Sequence, residues 1–337
     1  FWVIITTSTT LKSKEGLRPI NLATDLGQLA DLIEHAFRHT MDASGKAAIR
    51  EMRHLSRIGG GLRLLGGLNN LAQGISLGFV WVENHQIVGN VSIYPAPDFP
   101  SDMGKTYIIA NVAVYPDCRG KGIASRLMEA SLQHIQERNG RRILLQVDMD
   151  NSVARHLYDK LGFRQERAWI QWRRRGMVVP PPDDSNPQHE LYLRRYRHAD
   201  WKQVYQLAQQ VRPPHQGGVD WLRPCHPQTF NPPLNKQVFN FVNMIQVERL
   251  VLEDVPSQTL LGWLQFESQL ALSTHQVTLM TTPQPEVATL LLGNIVRRHS
   301  LQTLQLNHPY DDVVTAVELE SFHFKPIRHL INMVYAL

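Results

Sequence analysis

The chain has 337 residues, with 35 Lys and Arg against 30 Asp and Glu and a net charge of +5. With 43% apolar residues and no apolar run long enough for a bilayer, it reads as a packed globular protein without a membrane-spanning helix. Its two cysteines offer no disulfide framework and point to a reducing cytoplasm, while the mild positive charge suits an anionic cofactor as well as it suits nucleic acid.

The length exceeds one ordinary domain, so two are expected. Residues 1–14 form an N-terminal extension. Residues 17–20 make a short strand, after which Thr24 caps a helix reaching Phe37 that buries Leu26, Leu29, Ala30 and Ile33. A second helix covers about 45–56 and leads into a loop with glycines at 59–61 and 66–67, suited to a lid or to a plain connection. Residues 79–83 and 87–94 pair as a hairpin across Asn84-His85. Residues 107–114 are an apolar strand, 123–138 an amphipathic helix stopped by Asn139-Gly140, and 143–147 a buried strand.

The most informative stretch joins that strand to that helix: Arg119-Gly120-Lys121-Gly122-Ile123-Ala124, preceded by Val114-Tyr115-Pro116. Two glycines let the backbone approach a ligand, and the free amides and dipole of a helix start favour a pyrophosphate. It is not a P-loop, because Lys121 is followed by glycine, and not a dinucleotide fingerprint, because Ser125 takes the third glycine position. Downstream lies Asn151-Ser152-Val153-Ala154, then Leu157-Tyr158 and Gly162-Phe163. Together these segments resemble the two signatures of the GNAT superfamily, the GCN5-related N-acetyltransferases.

The resemblance implies acetyl-CoA as co-substrate and direct acetyl transfer to a primary amine, with no acyl-enzyme. It implies main-chain bonds from Val112, Ala113 and Val114 to the pantetheine arm. Arg119, Gly120, Lys121, Gly122, Ile123 and Ala124 would wrap the pyrophosphate. Tyr158 would protonate the departing sulfur, and Asn151 would reach the cofactor arm or cap its helix. Ribosomal-protein acetyltransferases place a glutamate twelve residues before the tyrosine; here that residue is Gln146, which cannot accept a proton. Asp148, on the same strand face, and Asn111, on the preceding strand, are the other candidates to hold a water or act on the amine. Cys118 reads as an incidental loop thiol, and the histidines show no metal spacing, so no metal is expected.

Residues 176–189 carry three consecutive prolines and read as a linker. Beyond it the strand-helix order begins again at 191–196, resembling a second GNAT fold in a tandem chain of the mycothiol synthase kind. The expected architecture is α/β, two tandem folds each with a mixed sheet flanked by helices, over 15–175 and 190–337. The second copy has Pro283-Gln284-Pro285-Glu286 in place of the glycine loop and Leu319 where the first has Tyr158, so it is expected to lack the chemistry. Trp81, Trp169 and Trp172 suit either an aromatic pocket or core, and Arg173, Arg174 and Arg175 either an acidic acceptor or a solvated strand end. The expected partners are acetyl-CoA and an amine acceptor, with a homodimer left open and neither membrane nor nucleic acid involved. The alternative is a non-catalytic acyl-CoA-binding regulator or scaffold.

Overall fold

The computed structural model describes residues 15–41, 43–58, 77–96, 99, 103–181, 190–233, 244–269 and 274–337. The N-terminal extension, the glycine loop at 59–67 and linker residues 182–189 lie outside the described residues. Contacts divide the chain into two compact units, 1–95 with 109–138 and 96–108 with 139–337. The repeats read from the sequence, 15–175 and 190–337, are a division of another kind.

In the first unit, β1 (Gly16–Pro19), β2 (Phe79–Glu83) and β3 (Gln86–Pro95) form an antiparallel meander, followed by the end of β4 (Lys105–Val114). The β2–β3 turn has positive φ at both Asn84 and His85, the twist a two-residue hairpin requires. Helix α1 (Leu22–Phe37) buries Leu26, Leu29, Ala30 and Ile33, and α2 (Ala43–Ile58) buries Ile49 and Met52, in one core with Val80, Val82, Ile87 and Ala113. The cap of α1 is Asn21 and not Thr24: Asn21 accepts from the Ala23 amide at 3.1 Å, while the Thr24 hydroxyl turns to Asp25 at 2.9 Å. Helix α3 (Ile123–Glu137) lies against β3 at Gly89, where an added Cβ would stand 2.8 Å from Ile123 and 3.0 Å from Leu127. Only glycine permits that approach, which seats the start of α3 on the sheet.

In the second unit the strand order is β4 (its first four residues), β5 (Gly140–Asp148), β12 (Lys325–Ala336), β6 (Arg164–Arg174), β11 (Thr303–Pro309), β10 (Thr274–Thr281), β9 (Thr259–Gln269), β8 (Ile245–Asp254), β7 (Leu191–Arg195). The pairs β4–β5 and β10–β11 are parallel and the others antiparallel, giving a mixed sheet. Helices α4 (Ser152–Lys160), α5 (Trp201–Val211), α6 (Pro285–Arg298) and α7 (Val313–Ser321) belong to the unit, with one further helical turn at Pro227–Phe230. One core gathers Leu264, Leu279, Leu291, Ile295, Leu304 and Phe324, with Trp172 buried among them.

The two repeats exchange their last strands. The final strand of the chain, β12, pairs with β5 of the first repeat, and β6 of the first repeat pairs with β11 of the second. A constant offset relates the copies: Asn151 to Asp312 as helix caps, Tyr158 to Leu319 within α4 and α7, Phe163 to Phe324 just after. Even the irregularities repeat. Where β6 and β12 pair, one extra residue bulges from each strand: Glu166 opposite the Asn332–Met333 step, and Ile327 opposite the Gln171–Trp172 step.

Candidate functional site

In the first unit, β4 ends at Val114 and a single 3₁₀ turn, Pro116–Cys118, brings the chain to Arg119, whose Nε donates to the Val114 carbonyl at 3.1 Å. Gly120 and Gly122 follow with φ of 78° and 76°, the left-handed region that glycine adopts without strain. Among the described residues an added Cβ at either position meets nothing within 4 Å, so the loop has room beside it there. Gly122 is also the N-cap of α3, and among the described residues no side chain caps the helix. The first amides of α3 have no intrahelical acceptor, and no acidic residue occupies the first turn. Lys121 Nζ lies 3.3 Å from Glu83, an exposed pair of little energetic weight that an arriving anion can displace. The arrangement fits a diphosphate: unpaired amides, a helix dipole, two cations and room beside the glycines.

Asn111 interrupts β4 with φ 53°. Its carbonyl accepts from Asn90 at 2.9 Å, and its side-chain amide donates to the Ser92 hydroxyl and the Tyr94 hydroxyl, both at 3.2 Å. Both of its amide hydrogens are therefore committed to β3, which leaves its side-chain oxygen alone for the water-holding role expected of it. The left-handed kink, which asparagine tolerates, is not visible in an apolar strand pattern. After it, Ala113 turns into the core with α1 and α2, so only its backbone faces a ligand, while Val112 and Val114 are half-buried.

In the second unit, Asn151 caps α4 by accepting from the Ala154 amide at 3.1 Å, the capping role anticipated for it. Tyr158 is buried two turns on, its ring 6.0 Å from that of Phe163. Burial pushes its phenol up to about 12, so it stays protonated at neutral pH. Gln146 on β5 donates to Asn332 on β12 at 2.9 Å. Asp148 receives two bonds from Arg328 on β12, both 2.9 Å, and action as a base would require giving up that bidentate pair. Glu166 on the β6 bulge is nearly buried, with one carboxylate oxygen bonded to Arg142. Sequence patterns gave no sign of Arg328, Asn332 or Glu166, because strand exchange and a bulge bring them to β5.

Residues 64–163 match the Acetyltransferase (GNAT) family. The matched segment holds both the glycine loop and the helix with Tyr158. Over that segment, under a third of its length, the chain is similar to the GNAT family. Over 98 residues it is 30% identical to mycothiol acetyltransferase of Geodermatophilus obscurus, a match covering 29% of this chain and 28% of that protein. The chain thus spans under a third of the length of that curated relative. The fold matches a GCN5-related N-acetyltransferase from Sphaerobacter thermophilus over 95% of both chains, with TM-score 0.62 and 15% identity. It also matches a tandem GNAT protein from the clavulanic acid biosynthesis pathway, over 95% of this chain and 98% of that one, with TM-score 0.52 and 12% identity. At such identities these two matches establish the tandem fold alone.

The second repeat departs from the first at each of these points. Pro285 opens α6 with no amide to offer, and Glu286 sits in its first turn. Leu319 replaces Tyr158 and is fully buried. Near the cap of α7, buried His308 bonds Asp312 at 2.8 Å through Nε2 and meets Arg212 at 3.3 Å through Nδ1. A guanidinium only donates, so Nδ1 accepts and Nε2 carries the proton. Burial, reinforced by Arg212, holds His308 down at about 4.

Proposed function

We propose that this protein is an N-acetyltransferase that moves an acetyl group from acetyl-CoA to a primary amine, of a small molecule or of a protein, by direct attack. The observation that carries the reading is the pair of left-handed glycines beside the uncapped start of α3. Acetyl-CoA, when bound, supplies an activated acetyl group and a thiolate leaving group. The amides of Gly120 to Ala124, with Arg119 and Lys121, hold its diphosphate. Backbone groups of Val112 and Val114 bind the pantetheine arm, and the Val114 amide polarises the acyl carbonyl. Tyr158, kept protonated by burial, donates to the sulfur. The two free thiols, Cys118 and Cys225, suit a reducing compartment, and we place the activity in the cytoplasm.

One observation favours a second reading, an acyl-CoA-binding scaffold: Gln146 stands where a carboxylate is expected and Asp148 is paired with Arg328. Calorimetric titration with acetyl-CoA, joined to thiol release in the presence of amines, separates the two. The enzyme reading expects one site per chain, lost in Gly122→Glu, and amine-dependent thiol release. Binding without release supports the scaffold, and no binding at millimolar acetyl-CoA sinks both.

A further inference from the structure

An amine acceptor arrives at neutral pH as an ammonium, and a base must take its proton before the nitrogen can attack. Gln146 cannot do so, and Asp148 is held by Arg328. We propose that Glu166, on the bulge of β6, is the general base of the first repeat, a conclusion that rests on the acetyltransferase reading above.

The bulge decides which way Glu166 faces. In a regular strand, Glu166 and Arg167 would point to opposite faces of the sheet. The extra residue opposite Asn332 breaks that alternation, and bulges of this kind re-aim side chains beside active sites. Arg142 and Gln146 share one face of β5, at alternate positions, and Gln146 bonds Asn332 across the β5–β12 ladder. Glu166 bonds Arg142. Gln146, Asn332, Arg142 and Glu166 therefore form one polar patch spanning three strands.

Arg142 takes one oxygen of Glu166, and the other has no partner among the described residues. It faces Gly217, in the loop after α5, where an added Cβ would lie 3.3 Å from Oε2 and 3.9 Å from Nδ2 of Asn332. Gly217 has φ 87° and no side chain, so the loop lays only backbone beside the carboxylate there. Asn332 is buried, and its Nδ2 has no partner among the described residues, a polar group aimed at the same spot. A primary amine placed there would lose a proton to Glu166. Arg142 is the charged group acting on Glu166; β12 contributes the neutral Asn332 and the loop contributes Gly217. Burial raises the Glu166 carboxyl despite Arg142, toward the range in which a base works best near neutrality.

The second repeat offers an internal comparison. It keeps the bulge, but with Ile327 in place of Glu166. The copy without the glycine loop and without the tyrosine is also the copy without a carboxylate at the bulge. If the Glu166 bulge served only to fit the two strands together, its chemistry would not be expected to track the other two losses.

Two protons leave the nitrogen as the C–N bond forms and the C–S bond breaks. One passes through Glu166 to solvent, and the other replaces the proton that Tyr158 gives to sulfur.

Two acceptors of nearly equal size test the assignment: methylamine, protonated at pH 7, and hydroxylamine, neutral at pH 7. Glu166→Gln should cut transfer to methylamine about 100-fold or more while leaving hydroxylamine within about threefold, since only the former needs a base. It should also remove the acidic limb of kcat/KM. In the Glu166→Gln background, Gln146→Glu should restore at least about tenfold of the methylamine rate by returning a carboxylate to the patch. Arg142→Met with Glu166→Gln removes both charges together, so no orphaned guanidinium confuses the result, and calorimetric acetyl-CoA binding reports that each variant is folded. Equal loss with both acceptors, or loss with neither, overturns the proposal while the acetyltransferase reading stands. A wild-type chain that does not bind acetyl-CoA at millimolar concentration overturns both.

Discussion

Gln146 donates to Asn332 at 2.9 Å, and this bond joins the first repeat to the last strand of the chain. Its counterpart under the constant offset is the facing pair Asn307 and Gln171 on β11 and β6. Each repeat therefore lends its final strand to the other, and β6 and β12 lie side by side between the borrowed partners.

A fragment of residues 15–181 contains the whole first repeat but lacks β12, so β5 loses its partner from Arg142 to Asp148. The strand able to replace β12 is β6, its equivalent in the first repeat, taken from a second copy. We expect the fragment to sediment as a dimer, converting the internal pseudo-twofold relation into a real one. A folded monomer with a cooperative melt would show that the exchange is dispensable.

Gly122→Ala separates backbone strain from ligand binding. An added methyl meets nothing within 4 Å, so stability should fall only by the cost of a left-handed alanine, about 1–2 kcal/mol. Acetyl-CoA affinity should fall much further, at least about tenfold, because the methyl enters the space that the loop amides border. Urea unfolding and calorimetry on one preparation give both numbers. Unchanged affinity would move the diphosphate away from this loop.

These contrasts show which parts of the molecule local sequence can declare. The glycine loop and the Asn151–Phe163 helix are contiguous motifs, so their chemistry was legible as written. Asn332, Arg328 and Glu166 join β5 through pairings about 20 to 190 residues apart in sequence, and no periodicity reports those. Alternation also misleads at the bulge, since it assigns Glu166 to the wrong face. By sequence, Arg174 suits a solvated strand end or an acceptor patch. In fact β6 is an interior strand, and Arg174 is fully buried, donating to the carbonyls of Phe322 and Val178. Trp169 and Trp172, left open between pocket and core, are buried for the same reason.

Tyr158→Phe tests proton delivery to sulfur. With its phenol at about 12, Tyr158 remains a donor throughout the neutral range, and the fall in rate at alkaline pH should not come from it until near that value. Removing the hydroxyl should lower kcat by about 100-fold or more while leaving acetyl-CoA affinity intact, since the buried ring still packs on Phe163. Equal turnover in the variant would remove Tyr158 from the mechanism.

The second repeat carries a pH signature of its own. Folded His308 stays neutral down to about 4, whereas a histidine in the unfolded chain takes a proton near its ordinary value of about 6.5. Between those values the unfolded state binds more protons, so stability falls as pH drops through that window and His308 contributes no further change below it. The loss amounts to a few kcal/mol, on the order of the difference between those two values. Asp312, held well below the usual carboxylate range by His308, Thr315 and Arg212 despite burial that acts the other way, gives up its contribution only at more acid pH. Urea midpoints at neutral and mildly acid pH should therefore separate in the wild type and converge in His308→Gln, which keeps a polar side chain but cannot take the proton. If the variant shows the same slope, the buried histidine is not what makes the fold acid-sensitive.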